Sequence, residues 1–389
     1  MIHHPHPSSV RLCILLLSLQ LAACAPGSVL ITPSPTATVA PLPSPTSTEA
    51  SQPSPSPTRE DLTAQIDRIL IFLTERESFT GSVLVAREGE ILLSWGYGLA
   101  NRDSQIPNTP QTKYRLASVT KQFTAMAILI LQANGQLNVQ HQICDYVPDC
   151  PSAWQALTIH HLLIHTSGIP NVTEFDDFQA RKATPSAPEQ TVAWFKDSPL
   201  EFSPGSQWRY SNSGYVLLGY IIEQVSGRSY EAFVQQNIFE PLQMRDSGYD
   251  HNDGSLATGY TGLYSQWEEP DYIDMSIPHA AGALYSTVED LYLWDQALYT
   301  EQLVPQELLE LMFTPHAKIT GTDLSYGYGW LVGELTGHPT VSHSGGIEGF
   351  ATEIRRYPEA KVTIIVLSNR DTTNVGDIMN QIAQLVLER

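Results

Sequence analysis

A serine and a lysine three positions apart open a long apolar segment. The run 118–121 reads Ser-Val-Thr-Lys, and the apolar residues after it predict a helix from Ser118 through Leu131. Because positions i and i+3 share a helix face, the Lys121 amine can lie beside the serine hydroxyl and accept its proton. A helix N-terminus also offers N–H groups to an oxyanion. Taken alone, the same spacing favours an N-cap serine with a solvated lysine.

A tyrosine and an asparagine form a second polar motif. Tyr210-Ser211-Asn212 precedes the periodic apolar segment 214–225, which predicts a loop just before a helix. A tyrosine hydroxyl can relay protons, and an asparagine amide can hold a substrate amide or the Lys121 amine.

A histidine and two glycines form the third motif. His343-Ser344-Gly345-Gly346 follows a short predicted strand that reads HPTVS. Glycines in a strand let its backbone approach a ligand closely, because they carry no side chain.

Together the three motifs resemble the fingerprint of the serine β-lactamase and penicillin-binding protein family, specifically its class C-like branch. That fingerprint is Ser-x-x-Lys on a helix, Tyr-x-Asn in a loop, and Lys- or His-x-Gly on a strand. The likeness covers about 61–389, since four more segments look like framework segments of the family: 161–170, 214–227, 280–294 and 325–330. It implies a site between a sheet domain and a helical lobe.

The resemblance implies a role for each matched residue. Ser118 would be the nucleophile that forms an acyl-enzyme. Lys121 would hold or deprotonate the Ser118 hydroxyl. Tyr210 would share the base role and protonate the leaving group, and either residue could be the base. Asn212 would bind the substrate's side-chain amide, while the N–H groups of Ser118 and Gly346 would form an oxyanion hole. Water would complete the hydrolysis, so neither a metal nor an organic cofactor is expected.

His343 departs from the β-lactamase pattern, which has a permanent lysine cation at this position. A histidine there is more similar to DD-peptidases and related esterases. With Gly345 and Gly346 it is expected to bind substrate. If it replaces the cation it must be protonated, and an ordinary imidazole has a pKa of about 6.5. Affinity for carboxylate-bearing substrates should then fall as the pH rises through that pKa, and β-lactams should be poor substrates.

The elements that position these motifs follow from hydrophobic periodicity. A helical period covers 61–77, and the next segment reads as two strands that turn at Glu88-Gly89. Strands return over 326–369, before a last amphipathic helix at 375–388. Strands at both ends with helices between them predict an α/β fold, in which one sheet domain carries an inserted helical lobe. The family resemblance further implies that the sheet is mainly antiparallel and flanked by helices.

Composition excludes several classes of protein. Of 389 residues, 21 are basic and 41 acidic, and the net charge of −20 disfavours nucleic acid as a partner. No apolar run reaches the ~18 residues that a spanning helix needs, which excludes a polytopic membrane protein. His161 and His165 are four positions apart, beside His160, but no glutamate lies between them as in a His-Glu-x-x-His zinc site. A zinc site is therefore not expected.

The N-terminal residues predict export and anchoring. Arg11 precedes a short apolar run, which is the shape of a secretory signal peptide over 1–23. The sequence LAAC ending at Cys24 resembles a bacterial lipobox, in which the cysteine is acylated, and acyl chains anchor a protein to a membrane. The alternative is a plain signal peptide with a chance cysteine.

A spacer is predicted over 24–60, ahead of a hydrolase domain over 61–389. Nine of the 27 prolines lie between Pro26 and Pro57, among serines and threonines, which is typical of a semi-rigid extended linker. We expect the domain to lie outside the cytoplasm, lipid-anchored to a bacterial cell membrane.

Two cysteines are expected to pair in that oxidising environment. Cys144 and Cys150 flank five residues that include a proline, and a turn there could bring their sulfurs together. The alternative is two separate thiols in a loop.

The expected function is that of a serine hydrolase acting on a small molecule or short peptide, possibly a cell-wall peptide. Three substrate types fit: D-amino-acid peptides (a DD-carboxypeptidase or peptidase), esters, or β-lactams. The competing hypothesis is an inactive relative that serves as a cell-wall binding module. The presence of Ser118, Lys121 and Tyr210 favours the enzyme.

Overall fold

The long strands lie toward both ends of the described chain, each group next to a terminal helix, and most of the helices lie between the two groups. The structure is a computed structural model that describes residues 59–263 and 265–388. The helices are α1 Arg59–Glu75, α2 Thr120–Ala133, α3 Ile159–Leu163, α4 Phe178–Arg181, α5 Pro188–Phe195, α6 Asn212–Ser226, α7 Tyr230–Val234, α8 Glu240–Leu242, α9 Val288–Ala297, α10 Gln306–Phe313 and α11 Val375–Leu387. Five 3₁₀ turns lie in the described ranges, at Ala117–Val119, Ile143–Asp145, Ser152–Trp154, Val172–Glu174 and His279–Ala281, and a π-helical turn at Gln235–Phe239 joins α7 to α8.

The strands are β1 Gly81–Arg87, β2 Glu90–Tyr97, β3 Leu99–Asn101, β4 Ile106–Pro107, β5 Tyr114–Arg115, β6 Gly248–Tyr249, β7 Leu284–Ser286, β8 Ala317–Lys318, β9 Ser325–Tyr326, β10 Leu331–Leu335, β11 His338–Ile347, β12 Phe350–Tyr357 and β13 Val362–Ser368. Eight of them form an antiparallel sheet in the order β2-β1-β13-β12-β11-β10-β9-β8. The pairing of β1 with β13 joins the N- and C-terminal parts of the described chain and confirms the predicted fold class.

Helices cover both faces of this sheet. On one face, α1 and α11 pack against the sheet through a core that includes Ile66, Val83, Ile364 and Ile382. On the other face a second core joins the sheet to α2, α6, α9 and the rest of the helical lobe. Residues 120–131 of α2 are buried on every side. A helix buried in this way is apolar on every face over 125–131, and its buried polar side chains Lys121 and Thr124 have hydrogen-bond partners within the core.

The starts of the first two helices differ from the predicted ones by two residues. The first helix begins at Arg59 rather than at 61, and α2 begins at Thr120. Ser118 therefore lies in the 3₁₀ turn ahead of α2, not in the helix itself. The predicted turn at Glu88-Gly89 is correct, since both residues have positive φ, 53° and 82°. The predicted signal peptide, Cys24 with its predicted acylation, and the predicted linker up to residue 58 lie outside the described residues.

The predicted disulfide is confirmed. Cys144 and Cys150 are bonded, with 5.3 Å between their Cα atoms, and both pack against the main core of the helical lobe. The bond closes the loop that leads from the second 3₁₀ turn toward α3. Among the described residues no helix combines the length and apolarity needed to cross a bilayer.

Candidate active site

Ser118 is fixed by a strained turn held against the sheet. Ala117, the residue before it, has a φ of 49°, and this left-handed conformation costs a non-glycine residue about 1–2 kcal/mol. Three contacts hold the turn: the Leu116 N–H donates to Leu284 O at 2.8 Å, the Val119 N–H donates to Leu116 O at 3.2 Å, and the Thr352 hydroxyl donates to Leu116 O at 2.8 Å. These contacts place the serine at the boundary of sheet and helical lobe.

Lys121 carries a buried amine with three oxygen neighbours. The side chain is 0% exposed, and Nζ lies 3.1 Å from Ser118 Oγ, 2.9 Å from Asn212 Oδ1 and 2.8 Å from Ala281 O. Burial holds the pKa of this lysine well below its ordinary value of 10.5. The amine is therefore much more easily neutral than a solvated lysine.

The neutral amine fits these neighbours in only one way. The carbonyl oxygens of Asn212 and Ala281 can only accept hydrogen bonds, so they take the two N–H groups of the amine. The remaining lone pair then points at Ser118 Oγ, whose O–H can donate to it. The geometry thus prepares a proton transfer from Ser118 to Lys121.

Tyr210 approaches Ser118 as a proton donor. Its hydroxyl donates to Ser118 Oγ at 2.8 Å, and burial raises the pKa of the phenol above 10. The Lys121 amine lies 4.9 Å from the centre of the tyrosine ring. A phenol with a raised pKa is protonated at neutral pH, so the two candidate bases differ: the lysine is ready to accept a proton and the tyrosine to give one.

Asn212 is the first residue of α6, and its neighbours fix both ends of its amide. Its N–H donates to Asn171 Oδ1 at 3.0 Å, and its Nδ2 donates to Thr173 Oγ1 at 3.4 Å, while Oδ1 accepts from Lys121. The side chain also lines the cavity at Ser118. Asn212 therefore orients the lysine amine, and its amide nitrogen lies at the substrate cavity.

His165 supports the loop that carries Tyr210. Its Nδ1 accepts from the Ser211 N–H at 3.2 Å, its carbonyl accepts from the Arg209 N–H at 2.9 Å, and its ring centre lies 4.3 Å from that of Tyr210. Burial holds the pKa of His165 well below 6.5. The imidazole is neutral and positions the tyrosine, a role that the sequence motif did not reveal.

Strand β11 passes so close to Ser118 that only glycine fits at one position. A Cβ added to Gly345 would lie 2.3 Å from Leu116 O and 3.0 Å from the Ser118 nitrogen, whereas one added to Gly346 would meet nothing within 4 Å. Gly346 and Ser118 both line the same cavity. This close approach brings the backbone of β11 to the nucleophile, as an oxyanion hole formed by Ser118 and Gly346 requires.

His343 is not the titratable cation that the sequence suggested. Its Nδ1–H donates to Ser344 O at 2.6 Å, and its Nε2 accepts from the Tyr326 hydroxyl at 2.8 Å. It is 4% exposed, and burial, with a smaller contribution from Lys121, lowers its pKa to about 3. The structure therefore predicts no loss of affinity near pH 6.5, because desolvation next to a basic amine keeps the ring neutral.

The histidines of α3 serve the fold. His161 Nδ1 accepts from the Thr158 N–H at 3.2 Å and completes a capping box, and His160 Nδ1 lies 2.7 Å from the Tyr328 hydroxyl. Within residues 59–263 and 265–388, no group of three or more His, Cys, Asp or Glu side chains is arranged to hold a metal ion.

Sequence motifs also gave no sign of Ala281 or Asn171. Ala281 contributes its backbone carbonyl to Lys121, and Asn171 contributes its amide oxygen to the N-terminus of α6. Every residue has a backbone carbonyl, so the residue type at 281 does not show that its carbonyl accepts a hydrogen bond. A single asparagine in a loop has many other possible roles. Only tertiary packing identifies these acceptors: the 3₁₀ turn at 279–281 packs against α2 and α6, and the turn at 172–174, which Asn171 precedes, packs against α6.

Comparison with known proteins identifies the family. The family model described as Beta-lactamase matches residues 67–388. Penicillin-binding protein 4* of Bacillus subtilis (strain 168) is 33% identical over 322 residues, covering 77% of this chain and 70% of that protein. The chain belongs to the β-lactamase family and is a serine hydrolase of the β-lactamase and penicillin-binding protein group, whose members act on amide or ester bonds.

Solved structures agree with this assignment. The penicillin-binding protein of Bacillus halodurans superposes with a TM-score of 0.73 at 29% identity, covering 81% of this chain and 98% of that one. The D-stereospecific amidohydrolase of Streptomyces sp. superposes with a TM-score of 0.70 at 26% identity, covering 82% and 97%.

The contact between Gly345 and the nucleophile turn can be tested by adding a single methyl group. Gly345→Ala should lower kcat/KM by about 100-fold or more, because displacing β11 by a fraction of an ångström misplaces the oxyanion donors. Steady-state kinetics with a chromogenic ester would measure kcat/KM, and thermal unfolding would measure the Tm. Gly346→Ala is the matched control for stability: its Cβ has free space, so its Tm should stay close to that of the wild type. Equal Tm and kcat/KM for Gly345→Ala and wild type would contradict the close approach.

The neutral state of His343 predicts the pH dependence of substrate binding. Since its pKa is about 3, the ring does not titrate between about pH 5 and about pH 8, where an ordinary histidine would. The KM values for an anionic ester and for its neutral analogue should therefore follow parallel pH profiles in this range. His343→Gln should leave the two profiles parallel. A KM that rises near pH 6.5 for the anionic ester alone, and only with His343 present, would show a protonated imidazole.

Proposed function

We propose that this protein hydrolyses amide or ester bonds in two steps through an acyl-enzyme on Ser118, with Lys121 as the proton acceptor. The observation that carries this proposal is the set of partners around Lys121. Two obligate acceptors, Asn212 Oδ1 and Ala281 O, leave the lone pair of the neutral amine to the serine hydroxyl. A serine is activated in this way by an adjacent base.

Acylation follows from the contacts of Ser118 Oγ. The oxygen attacks the substrate carbonyl carbon as its proton passes to Lys121 Nζ, and the N–H groups of Ser118 and Gly346 stabilise the resulting oxyanion. The tetrahedral intermediate then breaks its bond to the leaving group, which takes a proton from the Tyr210 hydroxyl. The proton held by Lys121 replaces the one that Tyr210 has lost. The products are an ester on Ser118 and a free amine or alcohol.

Deacylation uses the same groups in reverse. A water molecule attacks the ester carbonyl and gives its proton to the Lys121 and Tyr210 pair. Ser118 Oγ leaves with a proton, which releases a carboxylic acid and restores the resting site. No metal or organic cofactor is assigned a part in this cycle, because the side chains supply every proton transfer.

The substrate proposed is an amide, such as a D-amino-acid derivative, or an ester. The likeness to a D-stereospecific amidohydrolase and to penicillin-binding proteins supports this class. Because His343 is neutral, the motif supplies no fixed cation for a substrate carboxylate. This favours amides and esters without a terminal carboxylate over DD-carboxypeptidase substrates and β-lactams.

Covalent labelling tests the nucleophile. Wild-type protein should gain one fluorophosphonate adduct on Ser118 by mass spectrometry, and Ser118→Ala should gain none while keeping its fold. Lys121→Ala and Tyr210→Phe should lower turnover by about 10²–10⁴, the usual contribution of general acid–base catalysis. Ser104→Ala, at an exposed serine in the β3–β4 turn, is the matched control and should label normally. Full hydrolase activity in Ser118→Ala would reject the mechanism. Absence of both adduct and turnover in the wild type would favour an inactive, cell-wall binding relative.

We also propose that Cys24 is acylated and anchors the domain to the outer face of a bacterial cell membrane through the 24–60 linker. Wild-type protein made in a bacterial host should incorporate labelled palmitate and partition into detergent, and Cys24→Ala should lose both properties. Cys13→Ala, which changes a cysteine inside the apolar run, is the matched control and should retain both. Equal labelling of wild type and Cys24→Ala would reject the anchor.

A further inference from the structure

The cavity at Ser118 has a mostly apolar wall. It has a volume of about 140 Å³, and Ser118 and Gly346 are among the residues that line it. The apolar side chains that line it come from four separate segments: Val172, Phe178, Val216, Ile273, Ile277 and Ile347. Five of these six are buried, so the wall is part of the folded core and is preformed. Such a surface favours an apolar ligand group.

The position of the cavity relative to Tyr210 indicates which part of the substrate enters the cavity. Tyr210 donates to Ser118 Oγ but is absent from the cavity lining in the described part of the chain, whereas Gly346 and Asn212 belong to it. The leaving group must depart toward its proton donor, Tyr210. The group that remains on Ser118 therefore lies in the cavity.

The rim of the cavity is negatively charged and closed by an ion pair. Lys182 Nζ lies 2.8 Å from Glu348 Oε1, which lines the cavity, and 3.6 Å from Asp271 Oδ2. The Lys182 carbonyl also accepts from the Asp274 N–H at 2.9 Å, so this residue ties the end of α4 to the 271–274 loop. Two carboxylates surround one ammonium, so this group carries a net negative charge. It therefore repels a carboxylate on the substrate.

A neighbouring cavity continues this charge pattern. It has a volume of about 310 Å³, shares Ile273 and Glu348 with the first cavity, and is also lined by Glu269 and Asp271. The guanidinium in it, that of Arg115, is already bonded to Asp250 at 2.7 Å. A substrate that extends past Glu348 thus meets more carboxylates than cations.

We infer that the enzyme selects substrates whose acyl group carries no carboxylate, is apolar and is about the size of one aromatic ring. This inference rests on the proposed acyl-enzyme mechanism and names its substrate class. A cavity of about 150 Å³ with similar apolar walls is large enough to hold benzene. A phenylacetyl group therefore fits, an acetyl group leaves most of the wall uncovered, and a carboxylate-bearing acyl group is repelled by Glu348.

A series of p-nitrophenyl esters with one leaving group tests this selection. Wild-type kcat/KM for the phenylacetyl ester should exceed that for the acetyl ester by at least about tenfold, since each buried apolar group contributes a factor of that order. The value for the anionic succinyl ester should be about tenfold or more below that for the butyryl ester. Glu348→Gln should raise the succinyl-to-butyryl ratio severalfold.

Two variants change the cavity in opposite directions. Val216→Phe fills it and should lower the phenylacetyl-to-acetyl ratio about tenfold or more. Phe178→Ala enlarges it and should shift the preference toward bulkier acyl groups, and it serves as the test if Val216→Phe fails to fold. Val225→Phe, on the same helix and outside the cavity lining, is the matched control and should leave the ratio unchanged.

The outcomes separate the two proposals. A Ser118 adduct with equal kcat/KM for the acetyl and phenylacetyl esters, or ratios that neither cavity variant alters, would overturn the acyl-group selection and leave the mechanism standing. Failure to form any acyl-enzyme on Ser118 with any ester would overturn the proposed function itself.

Discussion

The buried amine of Lys121 is the constraint around which the site is arranged. A charged ammonium in a dry core is costly unless it is compensated, and the cheaper solution is a neutral amine with its N–H groups satisfied. Here the acceptors come from two different elements, the start of α6 and the 3₁₀ turn at 279–281. Because α2 is buried on every side, these elements must pack closely around it for the amine to be satisfied. The requirement that stabilises the core thus also directs the lone pair at Ser118.

The sheet contributes the other half of the geometry. Ser118 follows a left-handed Ala117, and that strained turn is held by a hydrogen bond from the Thr352 hydroxyl in β12 and by one to the Leu284 carbonyl in β7. A strained backbone conformation of this kind persists only where contacts with the surrounding structure hold it in place. Gly345 lets β11 lie directly against the turn. The nucleophile is therefore positioned by the sheet and its base by the helical lobe, so the active site depends on how these two parts pack.

The neutral histidines around the amine follow from the same electrostatics. His165 and His343 lie within one aromatic cluster with Tyr210 and Tyr326, and burial together with the nearby lysine lowers the pKa of both. A second positive charge there would raise the energy of protonated Lys121 during catalysis. Neutral imidazoles instead fix neighbouring groups: His165 holds the Ser211 N–H, and His343 connects Tyr326 to β11. Their contribution is to orientation rather than to charge.

The sequence by itself determined the fold class, the disulfide and the identity of the residues that meet at Ser118. These features depend on local periodicity, on cysteine spacing or on motifs whose residue types are chemically distinctive. Tertiary structure alone decided the proton states and the supporting partners. The pKa values of Lys121 and His343 depend on desolvation by residues far away in the chain, and a histidine looks the same in sequence whether it is buried or solvated. The acceptor at Ala281 is a backbone carbonyl, and the apolar cavity is assembled from four segments between Val172 and Ile347, so neither has a local pattern to read.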